Sequence, residues 1–445
     1  MKRCAIVGGG ISGLAAAYFL QKQSKQIQID LFEAQDRLGG VIRTDRINDC
    51  LIDAGPDSFL TQKKSAVSLC RELGLENSLI GSNDAQRKTY LFHEGKLKPL
   101  PDGFMLMVPT RLLPLLTTDL LSWPGKLEAL GDLFMQPQEK DGTVADFIEQ
   151  RFGKEILERI AEPLISGIYG SDVTRLSVQS ALPQIWEIQK RGSLIREFLR
   201  AVPVGEKPQS LFTTLKDGME TFILALRERC SQVRWRLSSP VERAEKKDGF
   251  WRISDEAYEI LLIASSQTPE IPTASGKQIR SLLNSIKRNS AIVIALCFED
   301  IRRDGFGWLV PAPERRSVLA CTYLNNKFSG RLPENRFLVR LFIGGDYAEE
   351  WLDRTDEEIC GEATRELKRI AGIDQAPLFY RVYRWNNAMP EYAVGHAEIM
   401  ENVKSLAKLE GNLFLTNSLF AGVGIPDCIS HAEKVAKEIM DFYAL

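Results

Sequence analysis

A glycine-rich turn close to the N-terminus constrains the fold of this chain more than any other feature of its sequence. Residues 2–7 (KRCAIV) read as a short apolar strand, and the run AAAYFL after GGGISG reads as a helix. Gly8, Gly10 and Gly13 between them fit the pattern G-x-G-x-x-G. In that pattern the glycines permit a tight turn, close approach of backbone N–H groups to a pyrophosphate, and close packing of helix on strand. The turn therefore predicts a βαβ unit that binds a dinucleotide.

A carboxylate stands where such a unit contacts the ribose. Glu33 lies at the end of the second strand of the unit, 27–34, and follows Gly13 by 20 residues. A carboxylate there accepts hydrogen bonds from the ribose hydroxyls and disfavours a 2′-phosphate, which argues against NADP. These residues are compatible with either FAD or NAD, and a glycine turn without a ligand is the competing interpretation.

Two more glycine-containing segments favour FAD. RLGGVIRT at 37–44 resembles the second flavin-contact motif of the amine-oxidase-type flavoproteins. Arg37 or Arg43 can face the phosphates there, or both are solvated charges beside a plain turn. LFLTNSLFAGVGIPDCI at 413–429 resembles the C-terminal flavin motif of the same superfamily, in which a small-residue loop and the start of the last helix approach the flavin. FAD is therefore the expected cofactor.

Charge and composition exclude several classes of protein. The 445 residues carry a formal net charge of −2, with a pI of about 6.1, which provides no field to attract a nucleic acid. No run of about 18 apolar residues predicts a membrane-spanning helix, and the first residues lack the pattern of a secretory signal. The eight cysteines are scattered without a C-x-x-C pair, and the three histidines are far apart. We therefore expect a cytoplasmic protein with reduced thiols and no metal ion.

The order of strand-like and helix-like segments predicts an α/β protein in three parts. These are a discontinuous Rossmann-type FAD-binding domain, a mixed-sheet substrate domain and a helical subdomain. The expected bounds are 1–85, 208–280 and 396–445 for FAD binding, 86–96 and 281–395 for the substrate, and 97–207 for the helical part. AVPVGEKPQS at 201–210 reads as a loop.

The segment 104–123 is the most apolar stretch of the helical part. Pro109 and Pro114 interrupt it, so we do not expect one straight helix. A broken, nearly uncharged segment with Arg111 is suited to peripheral contact with the inner face of the cell membrane. It is equally suited to capping an active-site mouth or to packing inside the protein, and the sequence leaves these alternatives open.

Four longer motifs indicate which family of flavoproteins the sequence resembles. GPDSFLTQKKSAVSLCRELGL, AEPLISGIYGSDVTRLSVQSALPQ, MPEYAVGH and GVGIPDCI together resemble the oxygen-dependent porphyrinogen oxidases of haem synthesis. GPDSFL-x-x-KKSA and EPLISGIYGSD resemble most the branch found in Gram-positive bacteria. The resemblance runs in order from residue 3 to the last helix and covers essentially the whole chain.

This resemblance implies an enzyme that oxidises a nonaromatic porphyrinogen to the porphyrin, with six electrons removed in three flavin cycles and oxygen reduced to hydrogen peroxide. Members of the bacterial branch act on coproporphyrinogen III, protoporphyrinogen IX or both. Because that branch is the nearer match, coproporphyrinogen III is the expected preferred substrate, with protoporphyrinogen IX a close second. The implied partners are the porphyrinogen, molecular oxygen and a ferrochelatase that receives the product. Aromatisation drives the reaction, so the protein is expected to orient its substrate rather than to supply a strong acid or base.

The resemblance also assigns a substrate pocket. Six positions match it, and they are Gly167, Leu164, Phe306, Leu309, Thr322 and Phe342. Gly167 matches a position whose backbone carbonyl faces the pyrrole N–H groups, with Leu164 on the same wall. Phe306 and Leu309 match a pair that sandwiches one pyrrole ring. Ordinary core packing is the alternative for each apolar residue.

The glycine motifs and the resemblance together place the FAD contacts along the whole chain. The residues are Gly8, Gly9, Gly10, Ile11, Ser12, Gly13, Glu33, Ala34, Arg37, Gly39, Gly40, Val41, Gly55, Pro56, Asp57, Ser58, Val241, Trp385, Asn417, Val423, Gly424 and Ile425. Val241 matches a backbone contact to the adenine, and a simple edge strand is its alternative. Trp385 resembles an aromatic residue beside the flavin, and an aromatic core residue is its alternative.

Two departures leave the recognition of propionates open. In the animal branch an arginine follows the Gly-Pro of the first motif, and another precedes the G-x-L hairpin. Asp57 and Thr89 stand at those positions here. Arg87 and Lys88 beside Thr89 can substitute, or they are solvated loop charges.

Two other functions are compatible with parts of the sequence. A flavin amine oxidase or a carotenoid desaturase shares the fold, although Trp385 alone does not meet the aromatic pair and lysine usual in amine oxidases. A non-catalytic protein resembling the Rab-escort chaperones, which kept the fold and lost the flavin, is the alternative of another class. The intact GGGISG, Glu33 and GVGIPD argue against it.

Overall fold

The computed structural model describes residues 1–105, 107–200 and 210–444, so all but the last residue of the loop expected at 201–210 lies outside the described residues. The chain begins with a β-α-β unit, and runs of consecutive strands and of consecutive helices follow. The strands are β1 (Lys2–Val7), β2 (Ile27–Phe32), β3 (Thr44–Ile47), β4 (Cys50–Asp53), β5 (Phe59–Leu60), β6 (Leu79–Gly81), β7 (Thr89–His93), β8 (Lys96–Pro99), β9 (Phe104–Met105), β10 (Val108–Pro109), β11 (Phe212–Leu215), β12 (Val233–Arg236), β13 (Glu245–Lys247), β14 (Phe250–Ile253), β15 (Glu256–Tyr258), β16 (Ile260–Ile263), β17 (Arg288–Glu299), β18 (Gly307–Leu309), β19 (Ala320–Tyr323), β20 (Arg336–Gly344), β21 (Phe379–Pro390) and β22 (Leu413–Leu415). The helices are α1 (Ile11–Gln23), α2 (Lys64–Glu72), α3 (Leu112–Thr117), α4 (Trp123–Ala129), α5 (Val144–Phe152), α6 (Lys154–Ile156), α7 (Glu162–Tyr169), α8 (Val178–Ala181), α9 (Pro183–Gln189), α10 (Leu194–Arg200), α11 (Glu220–Arg229), α12 (Ala274–Ser285), α13 (Leu324–Lys327), α14 (Asp346–Glu349), α15 (Asp356–Ala371), α16 (His396–Glu410), α17 (Ser418–Ala421) and α18 (Ile425–Tyr443).

The chain divides into two compact units. Unit 1 comprises Met1–Gly81, Ser210–Lys287 and Ala397–Leu445, and unit 2 comprises Ser82–Gln209 and Arg288–His396. Unit 2 therefore contains the expected helical subdomain and the segments expected to bind the substrate, except for residues 281–287, which lie in unit 1. The division into three domains stays a prediction.

Unit 1 is built on a five-stranded sheet in the order β12-β2-β1-β16-β22, and every neighbouring pair is parallel. The four residues of β16, ILLI, are all buried, as expected of a central parallel strand covered by helices on both faces. Helix α1 packs against α18 from the other end of the chain. Ala15, Ala16 and Ala17 of α1 are fully buried, and their small side chains permit this close approach. The α/β class and the βαβ start are thereby confirmed.

Unit 2 is built on a seven-stranded mixed sheet in the order β21-β17-β20-β19-β18-β7-β8. Only the β7–β18 pair is parallel among the described strands of this sheet. One face packs on α15, whose Thr355 and Glu358 form a reciprocal capping box that fixes where the helix begins. Ile359, Ala363 and Leu367 on the buried side of α15 contribute to the core of that face.

The segment 97–207 is only partly helical. β8 pairs with β7 in the mixed sheet, and β9 with β10 forms a short antiparallel ladder, so strands occupy the first residues of the expected helical subdomain. Pro109 ends β10, and α3 and α4 follow as separate short helices, which confirms that 104–123 is not one straight helix.

Two further properties concern the helices and the cysteines. Within the part of the chain that the structure describes, no helix combines the length and the apolar character needed to cross a membrane. All eight cysteines lie in the described residues, and each is buried and outside any disulfide.

His431 of α18 links that helix to the end of β22. Its Nδ1 lies 2.9 Å from the hydroxyl of Thr416, and its ring stacks on Phe420 with centroids 6.0 Å apart. Burial, assisted by the charges of Lys404 and Lys434, lowers the pKa of His431 to about 4. The imidazole is therefore neutral at pH 7.

Replacing His431 with glutamine, which keeps a hydrogen-bonding group near Thr416 but does not titrate, will flatten the acid side of the stability profile. The pKa of His431 is lower in the folded than in the unfolded chain, so the unfolded state binds more protons as the pH falls from about 6.5 towards 4. At pH 5 the wild type should have lost on the order of 1–2 kcal/mol of unfolding free energy through this residue. Urea unfolding of both proteins at pH 7 and pH 5 measures the loss, and equal losses would contradict the assignment.

Candidate functional site

The glycine turn between β1 and α1 is packed too tightly for a side chain at Gly8 or Gly13. A Cβ on Gly13 would lie 1.9 Å from the carbonyl oxygen of Gly8, and one on Gly8 would lie 2.6 Å from the backbone nitrogen of Ser265. Gly8 also has a φ of +114°, which L residues rarely adopt. Gly10 is the N-cap of α1, and a Cβ there would meet no described atom within 4 Å. The first N–H groups of α1, with Ile11 and Ser12, are therefore placed where an anion can approach them.

Glu33 turns its carboxylate back to this loop. The backbone N–H of Gly9 donates to its Oε2 at 2.7 Å, and that of Gln35 donates to its Oε1 at 2.9 Å. The backbone N–H of Ser239 donates to the Glu33 carbonyl at 2.9 Å, so the loop after β12 that carries Val241 starts beside the end of β2. Glu33 and Val241 thus belong to neighbouring strand ends, where an adenosine is expected, and exposed Ala34 follows on the same strand end.

The second glycine segment lies directly on the first. The N–H of Gly39 donates to the carbonyl of Gly9 at 2.8 Å, and a Cβ on Gly40 would lie 3.5 Å from the Cα of Gly10. The guanidinium of Arg37 donates to the carbonyls of three residues of its own loop, and they are Leu38, Gly40 and Ile42. Arg43 pairs with Asp45 at 2.9 Å. Arg37 therefore braces the loop here, and its contact with a phosphate stays a prediction.

The residues from 55 to 58 approach the same segment. A Cβ on Gly55 would lie 2.1 Å from the carbonyl oxygen of Val41, so Gly55 is required by close packing. Val41 itself is 40% exposed. After Pro56, the buried carboxylate of Asp57 accepts a hydrogen bond of 2.7 Å from the hydroxyl of Ser58.

The C-terminal motif begins at the carboxyl edge of the parallel sheet. The side-chain amide of Asn417 donates to the carbonyl of Ser265 at 2.8 Å, and its oxygen accepts from the N–H of Leu419 at 2.9 Å. Asn417 thus joins the ends of β22 and β16, and Ser265 also touches the glycine turn. Ligands of open α/β sheets bind at this edge.

A second helix starts nearby without a side-chain cap. Gly424, after half-buried Val423, is the N-cap of α18, and Ile425 is its first residue. Two glycine-capped helix starts from opposite ends of the chain therefore lie in one unit. Burial raises the pKa of Cys428 in the first turn to about 11, so its thiol stays protonated at pH 7. The first N–H groups of α1, the Glu33 carboxylate and the glycine segments around them (the glycine cradle) fit the adenosine diphosphate part of FAD.

In unit 2, cross-strand pairing brings several expected pocket residues to one face of the mixed sheet. Directly opposed residues point to the same face. The aligned rows are Leu309–Ala320–Phe342–Val293–Tyr383 and Thr322–Arg340–Ala295–Arg381, and the next row contains Trp385–Ala291–Gly344. Leu309, Thr322, Phe342 and Trp385 therefore share a face, and all four are partly exposed. This face lies opposite the core that packs on α15.

Helix α7 reaches this face. A Cβ on Gly167 would lie 3.3 Å from Cδ2 of Leu309, which places the exposed last turn of α7 against the end of β18. Leu164, three residues earlier and half-buried, lies on the same side of α7. Phe306 directly precedes β18 and is 7% exposed. The pocket roles of all these residues stay predictions.

Sequence reasoning missed a cation on the same face. Arg340 lies opposite Thr322 and two residues before Phe342, it is 1% exposed, and its guanidinium is 5.2 Å from the Phe342 ring centroid. The strand sequence RFLVRLF could have predicted this, because residues two apart in a strand, here Arg340 and Phe342, point to the same face. Arg87 and Lys88, considered for propionates, instead pair with surface carboxylates, and these are Asp84 at 3.7 Å and Asp304 at 2.8 Å.

Comparison with known proteins gives a consistent family. The sequence matches the family model described as flavin containing amine oxidoreductase over residues 11–440. The coproporphyrinogen III oxidase of Bacillus subtilis (strain 168) is 31% identical, and the alignment covers 99% of this chain and 98% of that protein. The chloroplastic protoporphyrinogen oxidase 1 of Spinacia oleracea is 29% identical, with 99% and 84% covered. The crystal structure of a provisionally assigned protoporphyrinogen oxidase from Exiguobacterium sp. 255-15 superposes with a TM-score of 0.87 at 27% identity, covering 98% of both chains.

These matches confirm the resemblance and the expected cofactor class, because they extend over nearly the whole chain and the glycine cradle fits the group that the family binds. The chain belongs to the flavin containing amine oxidoreductase family, and it is an FAD-dependent oxidoreductase.

Proposed function

We propose that this flavoprotein oxidises a porphyrinogen to its porphyrin in haem biosynthesis, with coproporphyrinogen III preferred and protoporphyrinogen IX second. The observation that carries the proposal is the exposed C-terminal turn of α7, in which Gly167 lies against Leu309 on a largely apolar sheet face. Support for the substrate class comes from the named activities of the two similar oxidases. The greater coverage of the bacterial enzyme supports the preference.

The chemistry divides simply between cofactor and protein. When bound, FAD supplies a two-electron acceptor that oxygen regenerates, so three rounds turn one porphyrinogen and three O₂ into one porphyrin and three H₂O₂. The last turn of a helix leaves carbonyl groups without intrahelical partners and carries the negative end of the helix dipole. Gly167 in that turn of α7 is suited to accept hydrogen bonds from the pyrrole N–H groups. Leu309 and Phe342 offer apolar surface to the macrocycle and exclude water from it.

The propionates of the substrate require cations in the same region. We propose Arg340 for this role, because this buried arginine lies on the sheet face that carries Thr322 and Phe342. A guanidinium matches the geometry of a carboxylate and keeps its charge when buried. Its position supports a substrate that carries carboxylate groups beside an apolar ring system.

The substrate proposal predicts rapid turnover of porphyrinogens and none of amines. Purified protein should convert coproporphyrinogen III with a higher kcat/KM than protoporphyrinogen IX, as measured by porphyrin fluorescence, and should release three H₂O₂ for each porphyrin. Putrescine and cyclohexylamine serve as negative substrates under the same conditions. Turnover of an amine without porphyrin formation from either porphyrinogen would refute the proposal.

The cofactor assignment predicts that Glu33 governs FAD retention. Glu33→Ala removes both the ribose acceptor and the acceptor of the Gly9 N–H, and hydrogen bonds to a charged group are each worth about 1.5–3 kcal/mol. We therefore expect FAD affinity to fall by about 100-fold, measured as flavin released on gel filtration and by titration of the stripped protein. Asp36→Ala, an exposed carboxylate three residues on, is the matched control and should retain FAD. Equal retention by Glu33→Ala and wild type would exclude this role.

We further propose that the protein is cytoplasmic and contacts the inner face of the cell membrane through α3 and α4, and that a ferrochelatase receives its product. The support is a group of exposed apolar side chains, which comprises Leu112, Leu113, Leu116, Trp123, Leu127 and Phe134. Lys126 links the two helices by donating to the carbonyl of Leu116 at 2.9 Å, while its ammonium lies 4.7 Å from the Trp123 ring centroid. Tryptophan and leucine in short helices are typical of interfacial contact.

The contact predicts binding to anionic lipid vesicles. Wild-type protein should co-sediment with phosphatidylglycerol vesicles, and the double variant Leu113→Ser with Trp123→Ser should lose most of that binding because both side chains are about 70% exposed. Leu409→Ser on α16, where an exposed leucine lies outside α3 and α4, is the control and should bind like wild type. Absence of wild-type binding, or equal binding by the double variant, counts against the membrane contact alone.

A further inference from the structure

The start of α7 is held by a buried carboxylate with several donors. Nη2 of Arg315 donates to both carboxylate oxygens of Glu162, at 2.8 Å to Oε1 and 2.9 Å to Oε2. Its Oε2 also accepts the backbone N–H of Ala312 at 3.0 Å, and its Oε1 accepts the hydroxyl of Ser166 at 2.8 Å. The side chains of Glu162 and Arg315 are only 11% and 7% exposed. The charge is thus buried but fully engaged, which is the condition under which a buried ion pair persists.

Two of the partners of Glu162, Ala312 and Arg315, belong to the loop that follows β18. The guanidinium of Arg315 donates from Nε and Nη2 to the carbonyl of Val310, at 3.2 and 2.9 Å. Val310 comes directly after Leu309 and is fully buried. One side chain therefore connects the residue after Leu309 to the first residue of α7, and it does so through directional bonds.

The turn that precedes α7 departs from regular α-helical geometry. Residues Leu157–Ala161 form a π-helical turn, and Pro163 occupies the first turn of α7. A π-helical turn is a rare local conformation that often occurs at functional sites. The regular α-helical pattern is therefore interrupted just before α7, and the contacts of Glu162 add directional bonds at that point. At the other end of α7, Gly170 in the left-handed conformation ends the helix.

We propose that Glu162 and Arg315 are positioning residues that set the separation between Gly167 and Leu309 and so determine how the macrocycle is held. The inference rests on the proposed function, since Gly167 and Leu309 are the residues expected to contact the substrate. Gly167 follows Glu162 by five residues on the same short helix, and a Cβ on it would lie 3.3 Å from Leu309. A side chain at position 167 would thus be in tight contact with Leu309, so the Gly167 backbone lies close to that leucine. A small displacement of α7 changes this close approach, because dispersion contacts weaken sharply over a gap of about 0.5–1 Å.

The test is a KM-against-kcat comparison of Glu162→Gln. The amide preserves shape but loses the charge and adds a donor that faces Ser166 or Arg315, so the restraint on α7 weakens. With coproporphyrinogen III we expect KM to rise by about tenfold and kcat to stay within about twofold, because the substrate loses orientation on binding while FAD remains bound. FAD content and the flavin absorption spectrum should match the wild type.

Glu366→Gln is the matched control. Glu366 on α15 is also a buried glutamate, with a bidentate partner in Arg369 at 2.8 and 2.6 Å, and it packs on the other face of the mixed sheet. We expect its loss to lower Tm and leave KM unchanged. If KM rises in Glu162→Gln but not in Glu366→Gln, the result supports the positioning role of Glu162. If both variants keep the wild-type KM, the result overturns that role.

A second variant keeps the inference testable if Glu162→Gln does not fold. Arg315→Lys retains the charge but can no longer bind Glu162 and Val310 together in one plane. We expect a smaller KM increase than in Glu162→Gln, again with unchanged FAD content. If the wild type oxidises neither porphyrinogen, the proposed function itself fails. If the wild type is active and Arg315→Lys retains its KM, only the positioning role fails.

Discussion

The close approach of α1 to the end of β1 is the constraint on which the cofactor site depends. Gly13 and the Gly8 carbonyl leave no room for a side chain, and this contact directs the first N–H groups of α1 towards the anion site. A larger residue at position 13 would move the start of α1 away from the strand and with it the donors. Because α18 packs against α1, the same contact also locates the second helix start.

The cofactor unit depends equally on residues that are far apart in the chain. Leu261 in β16 pairs with Ala5 of β1 on one side and with Leu413 of β22 on the other. Asn417 then joins the ends of β16 and β22 through Ser265. Parallel strands need long crossover connections, so a sheet of this kind can recruit both ends of a chain. The discontinuous cofactor unit is a consequence of that topology.

The elements that the sequence could predict are those with local signals. The strand 2–7, the helix after GGGISG and the strand within 27–34 are found at those positions, because alternation and glycine spacing are properties of neighbouring residues. Long-range contacts carry no such signal. Glu162 and Arg315 are 153 residues apart, and the pairing of β8 with β7 is decided by the sheet. Once β20 is known, the alternation of side chains places Arg340 on the same face as Phe342. That Thr322 shares this face follows only from the register between β19 and β20.

Three side chains of kinds that act as acids, bases or nucleophiles in other enzymes are held here in their neutral forms. Burial raises the pKa of the Cys428 thiol and of the Cys321 thiol, and it lowers the pKa of His431, so none of the three carries a charge at pH 7. An oxidation driven by aromatisation needs no such group, only a substrate held in one orientation with water excluded. In the proposed function, the carbonyl end of α7 and the sheet face of Leu309 provide that orientation. Substitutions that move these elements should therefore affect recognition before they affect the electron transfer itself.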